Sequence, residues 1–289
     1  MSSSDNPQFE PRPVASTESQ AAAPLSSESL AAASFPPVAP PVENPVWNGW
    51  DVLLITGLTL VTMFVLQFAV VLVAYWLVRP HTTMAELVQR PILALVSQFL
   101  IYIPVAACMF LLVEGKYHVP FWRSIRWNWP RSEWKFLGMG LVLLIALAIL
   151  QGFLPIPKDT PFEHLFDNPR DAFLLSIIAV SIGPLMEELF FRGFLYPVLA
   201  RRTGVVWAIL LTALPFGLIH LPQYGWAWGV ALVIFLVGVA CGAVRAVTKS
   251  VAASFLVHVG YNGTQMIILV VQSHGFRNMP KAFAYFCLH

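Results

Sequence analysis

The chain has 289 residues, of which 57% are hydrophobic and 11% are charged, and its mean hydropathy is +0.70. This composition excludes an ordinary soluble domain, in which about 25% of residues are charged. The net charge of +2 comes without a basic patch, which argues against nucleic acid as a partner.

The first 48 residues are rich in Ser, Ala, Pro and Glu and lack a basic start followed by an apolar core. They therefore predict a disordered tail rather than a signal peptide. Apolar runs long enough to cross a bilayer follow. The run from 203 to 244 is too long for one crossing, so we divide it at the Pro- and Gly-containing "HLPQYGWAWG" (220–229). The predicted spans are 50–79, 91–114, 136–156, 172–199, 204–221, 226–247 and 251–273.

The predicted fold is therefore an all-α membrane protein, a multi-pass bundle of about seven transmembrane helices. The loop at 116–135 interleaves four tryptophans with arginine and lysine, a composition that favours the lipid headgroup layer. A surface that receives an acidic or lipidated substrate is the alternative role for this loop. We divide the chain into four segments. A disordered tail (1–48) is followed by N-terminal helices with the interfacial loop (49–134), and a membrane domain that carries polar residues (135–275) is followed by a C-terminal tail (276–289).

The stretch "GPLMEELFFRGFLYP" (183–197) places ionisable residues inside an apolar span. Such a residue costs about 2.5 to 3.5 kcal/mol near the bilayer centre, so it is usually paired or lines a wet cavity. Glu188 and Arg192 are four residues apart and share a helix face, which predicts an ion pair. Glu187 is turned by about 100° and is predicted to be unpaired. Pro184 predicts a kink beside it. A purely structural polar cluster is the alternative interpretation.

Two further segments carry polar residues in apolar spans. "FGLIH" places His220 one turn after Phe216, and "HVGYN" stacks His258 and Asn262 on one helix face. A partly desolvated Glu187 suits a general base that activates water, with His and Asn side chains as oxyanion donors. Two histidines and one glutamate are also a common zinc ligand set, which makes Glu187, His220 and His258 candidate zinc ligands. The His-Glu-x-x-His zinc helix is absent, and the residue types leave both chemistries open.

The three motifs together resemble those of the CPBP intramembrane proteases, also called the ABI or CAAX protease family. The pattern is Glu-Glu-x-x-x-Arg (187–192), Phe-x-x-x-His (216–220) and His-x-x-x-Asn (258–262), in this order along the predicted membrane helices. The resemblance covers roughly residues 135–275, about half of the chain. It identifies the segment at 135–275 as a CPBP-type catalytic membrane domain.

The resemblance implies a membrane-embedded endopeptidase in which Glu187 activates water. Relatives are often named metalloproteases, yet the same residues fit a metal-free glutamate protease, and relatives also act in bacteriocin immunity or as scaffolds. The implied catalytic residues are Glu187, His220, His258 and Asn262, with Glu188 and Arg192 in support.

We therefore expect an endopeptidase of the cell membrane that cleaves a membrane-associated protein or peptide. Its surroundings are the lipid bilayer, and no nucleic acid is expected as a partner. The alternatives are a non-catalytic scaffold or immunity protein with the same fold, and a proton-coupled transporter. The absence of an internal sequence repeat disfavours the transporter.

Overall fold

The computed structural model describes residues 43–78, 82–88, 90–155, 157 and 160–278. Within these ranges all regular elements are helical and no strand is present. Most of the predicted N-terminal tail, residues 1–42, lies outside the described residues, as do residues 279–289 of the predicted C-terminal tail.

The described part of the chain contains eleven α-helices, which we number in chain order. Their bounds are α1 Gly49–Val78, α2 Met84–Val88, α3 Pro91–Phe110, α4 Phe121–Ser124, α5 Glu133–Gln151, α6 Pro169–Val180, α7 Ile182–Glu188, α8 Tyr196–Thr203, α9 Val205–Leu218, α10 Trp228–Thr248 and α11 Val251–Gln272. Two π-helical segments extend them, Leu111–Lys116 after α3 and Leu189–Leu195 between α7 and α8. Two short 3₁₀ turns, Glu163–Phe166 and Leu221–Tyr224, complete the set.

Six helical segments among the described residues are long and apolar enough to cross a membrane. They are Gly49–Val78, Ile92–Lys116, Glu133–Gln151, Pro169–Thr203, Trp228–Thr248 and Val251–Gln272. The predicted all-α, multi-pass class is thereby confirmed, and the chain is an integral membrane protein.

The predicted fifth span (204–221) differs from the structure. Helix α9 has 14 residues and so rises only about 21 Å, whereas the hydrocarbon layer is about 30 Å thick. It ends at Leu218, and Pro222 at the start of the following 3₁₀ turn prevents its continuation. His220 consequently lies in a turn between α9 and α10 and not on a membrane-spanning helix.

The fourth span is interrupted just before its two glutamates. Helix α6 ends at Val180, and Ser181 adopts a non-helical conformation with φ −121° and ψ −81°. Pro184 has no backbone N–H, so the carbonyl of Val180 cannot receive the usual i to i−4 hydrogen bond. The structure shows an interruption at Ser181, three residues before Pro184, and a π-helical segment, a feature common at functional sites, follows directly after Glu188.

Helices α5 and α11 pack closely because glycines meet at their crossing. A Cβ atom at Gly140 would lie 2.4 Å from the carbonyl oxygen of Val257, and one at Gly260 would lie 2.4 Å from that of Leu137. Small residues of this kind let helix backbones approach within a membrane. The contact fixes α11, which carries His258, against the rest of the bundle.

Residues 43–48 belong to the packed structure, which corrects the predicted tail boundary at residue 48. The indole of Trp47 is fully buried, stacks on Phe194 at 4.6 Å and donates a 3.0 Å hydrogen bond to the carbonyl of Phe194. Glu43 is buried between Arg126 and Arg245, at 3.3 and 3.1 Å. The composition of residues 1–48 could not reveal these contacts, because the partners lie 147 and 202 residues further along the chain.

The packed structure also extends beyond the predicted start of the C-terminal tail at residue 276. Phe276, which the sequence analysis assigns to the tail, is buried and its ring lies 5.7 Å from that of Phe166. The membrane domain therefore extends at least to this residue.

Candidate active site

Glu187 faces two histidines from two other elements. Its carboxylate oxygens lie 3.9 Å from His220 Nε2 and 3.7 Å from His258 Nε2. The Glu187 side chain is 24% exposed to solvent, so water can reach it. Helix α7, the turn after α9 and helix α11 thus bring one carboxylate and two imidazoles together.

The other ring nitrogen of each histidine is held by an acceptor. His220 Nδ1 donates to the carbonyl of Phe216 at 2.7 Å, and His258 Nδ1 donates to Glu188 Oε1 at 3.0 Å. In the neutral form of either imidazole, the acceptor fixes the proton on Nδ1 and leaves an unprotonated Nε2 facing Glu187. Both nitrogens are therefore placed to accept a hydrogen bond from water.

Glu188, unlike Glu187, has no contact with solvent. It is fully buried and forms the ion pair with Arg192 that the spacing predicts, with Nη1 and Oε1 2.8 Å apart. Ser254 donates to its second oxygen at 2.5 Å, and Arg192 donates through Nη2 to the carbonyl of Gly238 at 2.7 Å. These contacts join α7 to α10 and α11 and hold His258 in its orientation.

Asn262 lies one turn after His258 on α11, and its contact differs from that of the histidines. Its amide nitrogen donates to the carbonyl of Ala179 at 2.8 Å. Ala179 is in the last turn of α6, where the helix is interrupted and carbonyls lose their helical partners. In the structure Asn262 thus caps the helix break beside the site.

Two tyrosines that the sequence analysis missed lie near Glu187. Tyr224 is in the turn after His220, and burial, together with the negative charge of Glu187, raises the pKa of its phenol, which therefore stays protonated. Tyr102 on α3 also lies within the electrostatic range of Glu187. Gln98 and Tyr102, four residues apart in an otherwise apolar span, are the sequence signal that could have revealed this second group.

The candidate zinc ligands match a zinc site in chemistry but not in spacing. Both histidines show the carbonyl- and carboxylate-bound Nδ1 that is typical of metal ligands. However, two ligands of a tetrahedral zinc ion lie about 3.4 Å apart, and Glu187, His220 and His258 do not all bring a ligand atom within 4.8 Å of one another. As they are positioned, the three side chains do not fit a zinc ion.

A more compact ligand group is present among the described residues, formed by Glu188, Cys241 and His258 within 4.8 Å. It does not fit a metal ion either, because the carboxylate of Glu188 already binds the Arg192 guanidinium. A cation there would face this buried positive charge.

The ordered motifs and this geometry agree with the comparison of the sequence with known families. Residues 169–264 match the family model described as type II CAAX prenyl endopeptidase Rce1-like. Over these residues the chain is similar to the CPBP/CAAX protease family, in agreement with the resemblance of its three motifs. The matched segment contains the six polar residues of the three motifs, whereas Tyr102 precedes it. The six are Glu187, Glu188, Arg192, His220, His258 and Asn262. No curated protein and no solved structure matched the chain.

Proposed function

We propose that this CAAX-protease-type protein is an intramembrane endopeptidase in which Glu187 activates the attacking water. The observation that carries the proposal is the contrast between two adjacent glutamates. Glu188 is fully buried and neutralised by Arg192, while Glu187 is partly exposed and faces two imidazole nitrogens. A carboxylate without a fixed cation in an apolar surrounding is a suitable general base.

The reaction follows from these positions without a metal step. A water molecule donates one hydrogen bond to Glu187 and the other to one of the two Nε2 atoms. Glu187 takes the proton as the water oxygen bonds to the peptide carbonyl carbon. When the C–N bond breaks, Glu187 returns that proton to the leaving nitrogen, so the carboxylate is regenerated.

The remaining polar residues have supporting roles in this proposal. Glu188 holds the His258 ring by accepting from Nδ1, and Arg192 neutralises Glu188. Asn262 supports the helix break that separates α6 from α7. The break leaves the Glu187 face of α7 open to a substrate segment, which must be unwound for its peptide bond to be attacked.

The substrate class is a membrane-associated protein or peptide, and we place the enzyme in the cell membrane. Purified protein in lipid nanodiscs should be tested first with a farnesylated peptide that ends in a CAAX box, since the matched family is named for that reaction. In parallel, mass spectrometry should compare peptide termini between membranes that contain the wild type and membranes that contain Glu187→Gln.

A new terminus that depends on Glu187 supports the endopeptidase. If no peptide changes in either experiment while the protein is folded, a scaffold or immunity role replaces the enzyme. Cell fractionation of the tagged protein tests the location.

A further inference from the structure

Peptide hydrolysis needs a hydrogen-bond donor as well as a base. Negative charge develops on the carbonyl oxygen during the attack, and a preorganised donor aimed at it stabilises the transition state. The Nδ1 atoms of His220 and His258 are held by Phe216 and Glu188, and the Asn262 amide uses one of its two N–H groups on Ala179. A hydroxyl group at the site would supply a further donor.

Tyr102 brings such a hydroxyl from helix α3. Its phenol oxygen lies beside Gly183, because a Cβ atom at that glycine would be 3.8 Å from it. Gly183 and Glu187 are four residues apart on α7 and share a helix face. The phenol is thus about one helical turn from the proposed base, and the charge of Glu187 acts on it.

Gln98 supports the orientation of Tyr102. The two residues share a face of α3, and the Gln98 side chain hydrogen-bonds the phenol. Gln98 is exposed although it lies in a membrane-spanning helix. Polar side chains in membrane-spanning helices usually face the bundle interior or a cavity that contains water.

Tyr224 provides an internal comparison because it is also close to Glu187. Its ring packs on Phe162 at 5.0 Å, and the adjacent Gln223 carbonyl accepts from the Phe162 N–H at 2.9 Å. These contacts attach Tyr224 to the loop that precedes α6. They give it a packing role in holding the turn that carries His220.

We propose that Tyr102 is a substrate-contacting catalytic residue whose hydroxyl donates a hydrogen bond to the carbonyl oxygen of the peptide bond that is cleaved. This inference rests on the proposed endopeptidase function. It adds a group from the first half of the chain, outside the segment 169–264 that matches the family. No proton is transferred by the phenol, which donates a hydrogen bond throughout.

The test compares Tyr102→Phe with wild type in nanodiscs, using the peptide that the wild type cleaves. Removal of one oxyanion donor typically lowers kcat by about 10²-fold to 10³-fold. We expect a loss of this size in kcat, with KM changed by less than about threefold, since the donor acts mainly in the transition state. The melting temperature should stay near that of wild type. Gln98→Leu, which keeps the phenol, should show a smaller loss in kcat and provides a second variant.

Two tyrosine variants serve as controls. Tyr75→Phe removes a hydroxyl from α1, and Tyr224→Phe removes the neighbouring phenol at the site. Tyr75→Phe should retain kcat within about threefold of wild type, and Tyr224→Phe should lose less kcat than Tyr102→Phe does. The proposal is wrong if Tyr102→Phe retains kcat, or if Tyr224→Phe loses more than Tyr102→Phe does.

Binding of a non-cleavable farnesylated peptidyl phosphinate, a mimic of the tetrahedral intermediate, separates this inference from the proposed function. We expect the wild type to bind it and Tyr102→Phe to bind at least tenfold more weakly. If the wild type binds the phosphinate in a Tyr102-dependent way without cleaving any peptide, the role of Tyr102 stands and the endopeptidase does not. If the wild type neither binds nor cleaves, both are wrong.

Discussion

Glu187 and Glu188 are neighbours in sequence but point in directions about 100° apart, as successive residues of a helix do. Glu188 meets Arg192, Ser254 and His258 in a site without solvent. Glu187 remains accessible and meets only ring nitrogens at 3.7 Å or more. The two carboxylates therefore respond differently to removal of their charge, which allows chemistry and stability to be tested separately.

Glu187→Gln should abolish cleavage and leave the fold intact. The amide keeps the size of the side chain but cannot take a proton from water, and no fixed cation loses its partner. We expect kcat to fall to background with a melting temperature near that of wild type, measured by peptide turnover and thermal unfolding in the same nanodiscs. Glu133→Gln at the exposed start of α5 is the matched control and should retain full turnover. Turnover by Glu187→Gln would instead identify another residue as the base.

Arg192→Leu should lower folded yield as well as activity. The substitution leaves Glu188 buried without its cation, and breaking a buried pair costs about 3 to 5 kcal/mol. The double variant Glu188→Gln/Arg192→Leu removes both charges and should recover yield better than activity, because His258 still lacks its acceptor carboxylate. Size-exclusion chromatography and turnover measure the two effects. A single variant that is as stable as wild type would contradict a structural role for the pair.

The sequence predicts the residues of the site better than it predicts their contacts. The Glu188–Arg192 pair follows from helix periodicity alone, since both partners lie on one element. The capping contact of Asn262 could not be predicted, because it depends on where α6 is interrupted. Tyr102 lies more than 80 residues before the motifs and reaches them only through packing between helices.

At the scale of whole elements, the predicted span at 172–199 is built from three α-helical pieces and a π-helical segment. Composition predicts its apolar length, since a window of this span has a mean hydropathy of 1.8. At the interruption the Ser181 hydroxyl donates to the carbonyl of Ile177, and Pro184 cannot donate to the carbonyl of Val180. Hydropathy carries no information on these bonds, which is also why α9 was predicted too long.

The crossing of α5 and α11 should be sensitive to a single methyl group. Gly140→Ala would place a Cβ atom 2.4 Å from a carbonyl oxygen of α11, so the helices must separate. Overpacking of this kind costs about 1 to 3 kcal/mol. Thermal unfolding should show a lower melting temperature, and turnover should fall because α11 carries His258.

Gly138→Ala is the matched control two residues away on the same helix. No atom lies within 4 Å of a Cβ at this position, and alanine is favoured over glycine in helices by about 1 kcal/mol. We expect unchanged or slightly raised stability. Equal effects of the two substitutions would show that the close crossing does not control the position of α11.

For the molecule as a whole, the family match covers residues 169–264, about a third of the chain, while residues outside it complete the structure around the site. Helix α3 brings Tyr102 beside Gly183 of α7, and residues 43–48 pack on the segment that follows Glu188. A truncated protein limited to the matched segment would lack both contributions. The full chain is therefore the unit on which activity should be measured.

Removal of metal ions should leave turnover unchanged. Glu187, His220 and His258 are spaced more widely than the ligands of one zinc ion, and the proposed reaction needs only the carboxylate and water. Incubation with a strong chelator, followed by metal analysis and a turnover assay on the same sample, tests this. Loss of activity that is restored by added zinc would show that the side chains close around a metal during catalysis.

The attachment of residues 43–48 also imposes an order on biosynthesis. Trp47 binds a carbonyl 147 residues later in the chain, and Glu43 binds an arginine 202 residues later. Since synthesis proceeds from the N-terminus, these early residues leave the ribosome long before their partners exist. The first helices must therefore enter the bilayer with the Glu43 carboxylate still unpaired, and the segment after Glu187 is fastened in place only when α10 has been inserted. Assembly of the candidate site is in this sense the final step of membrane insertion.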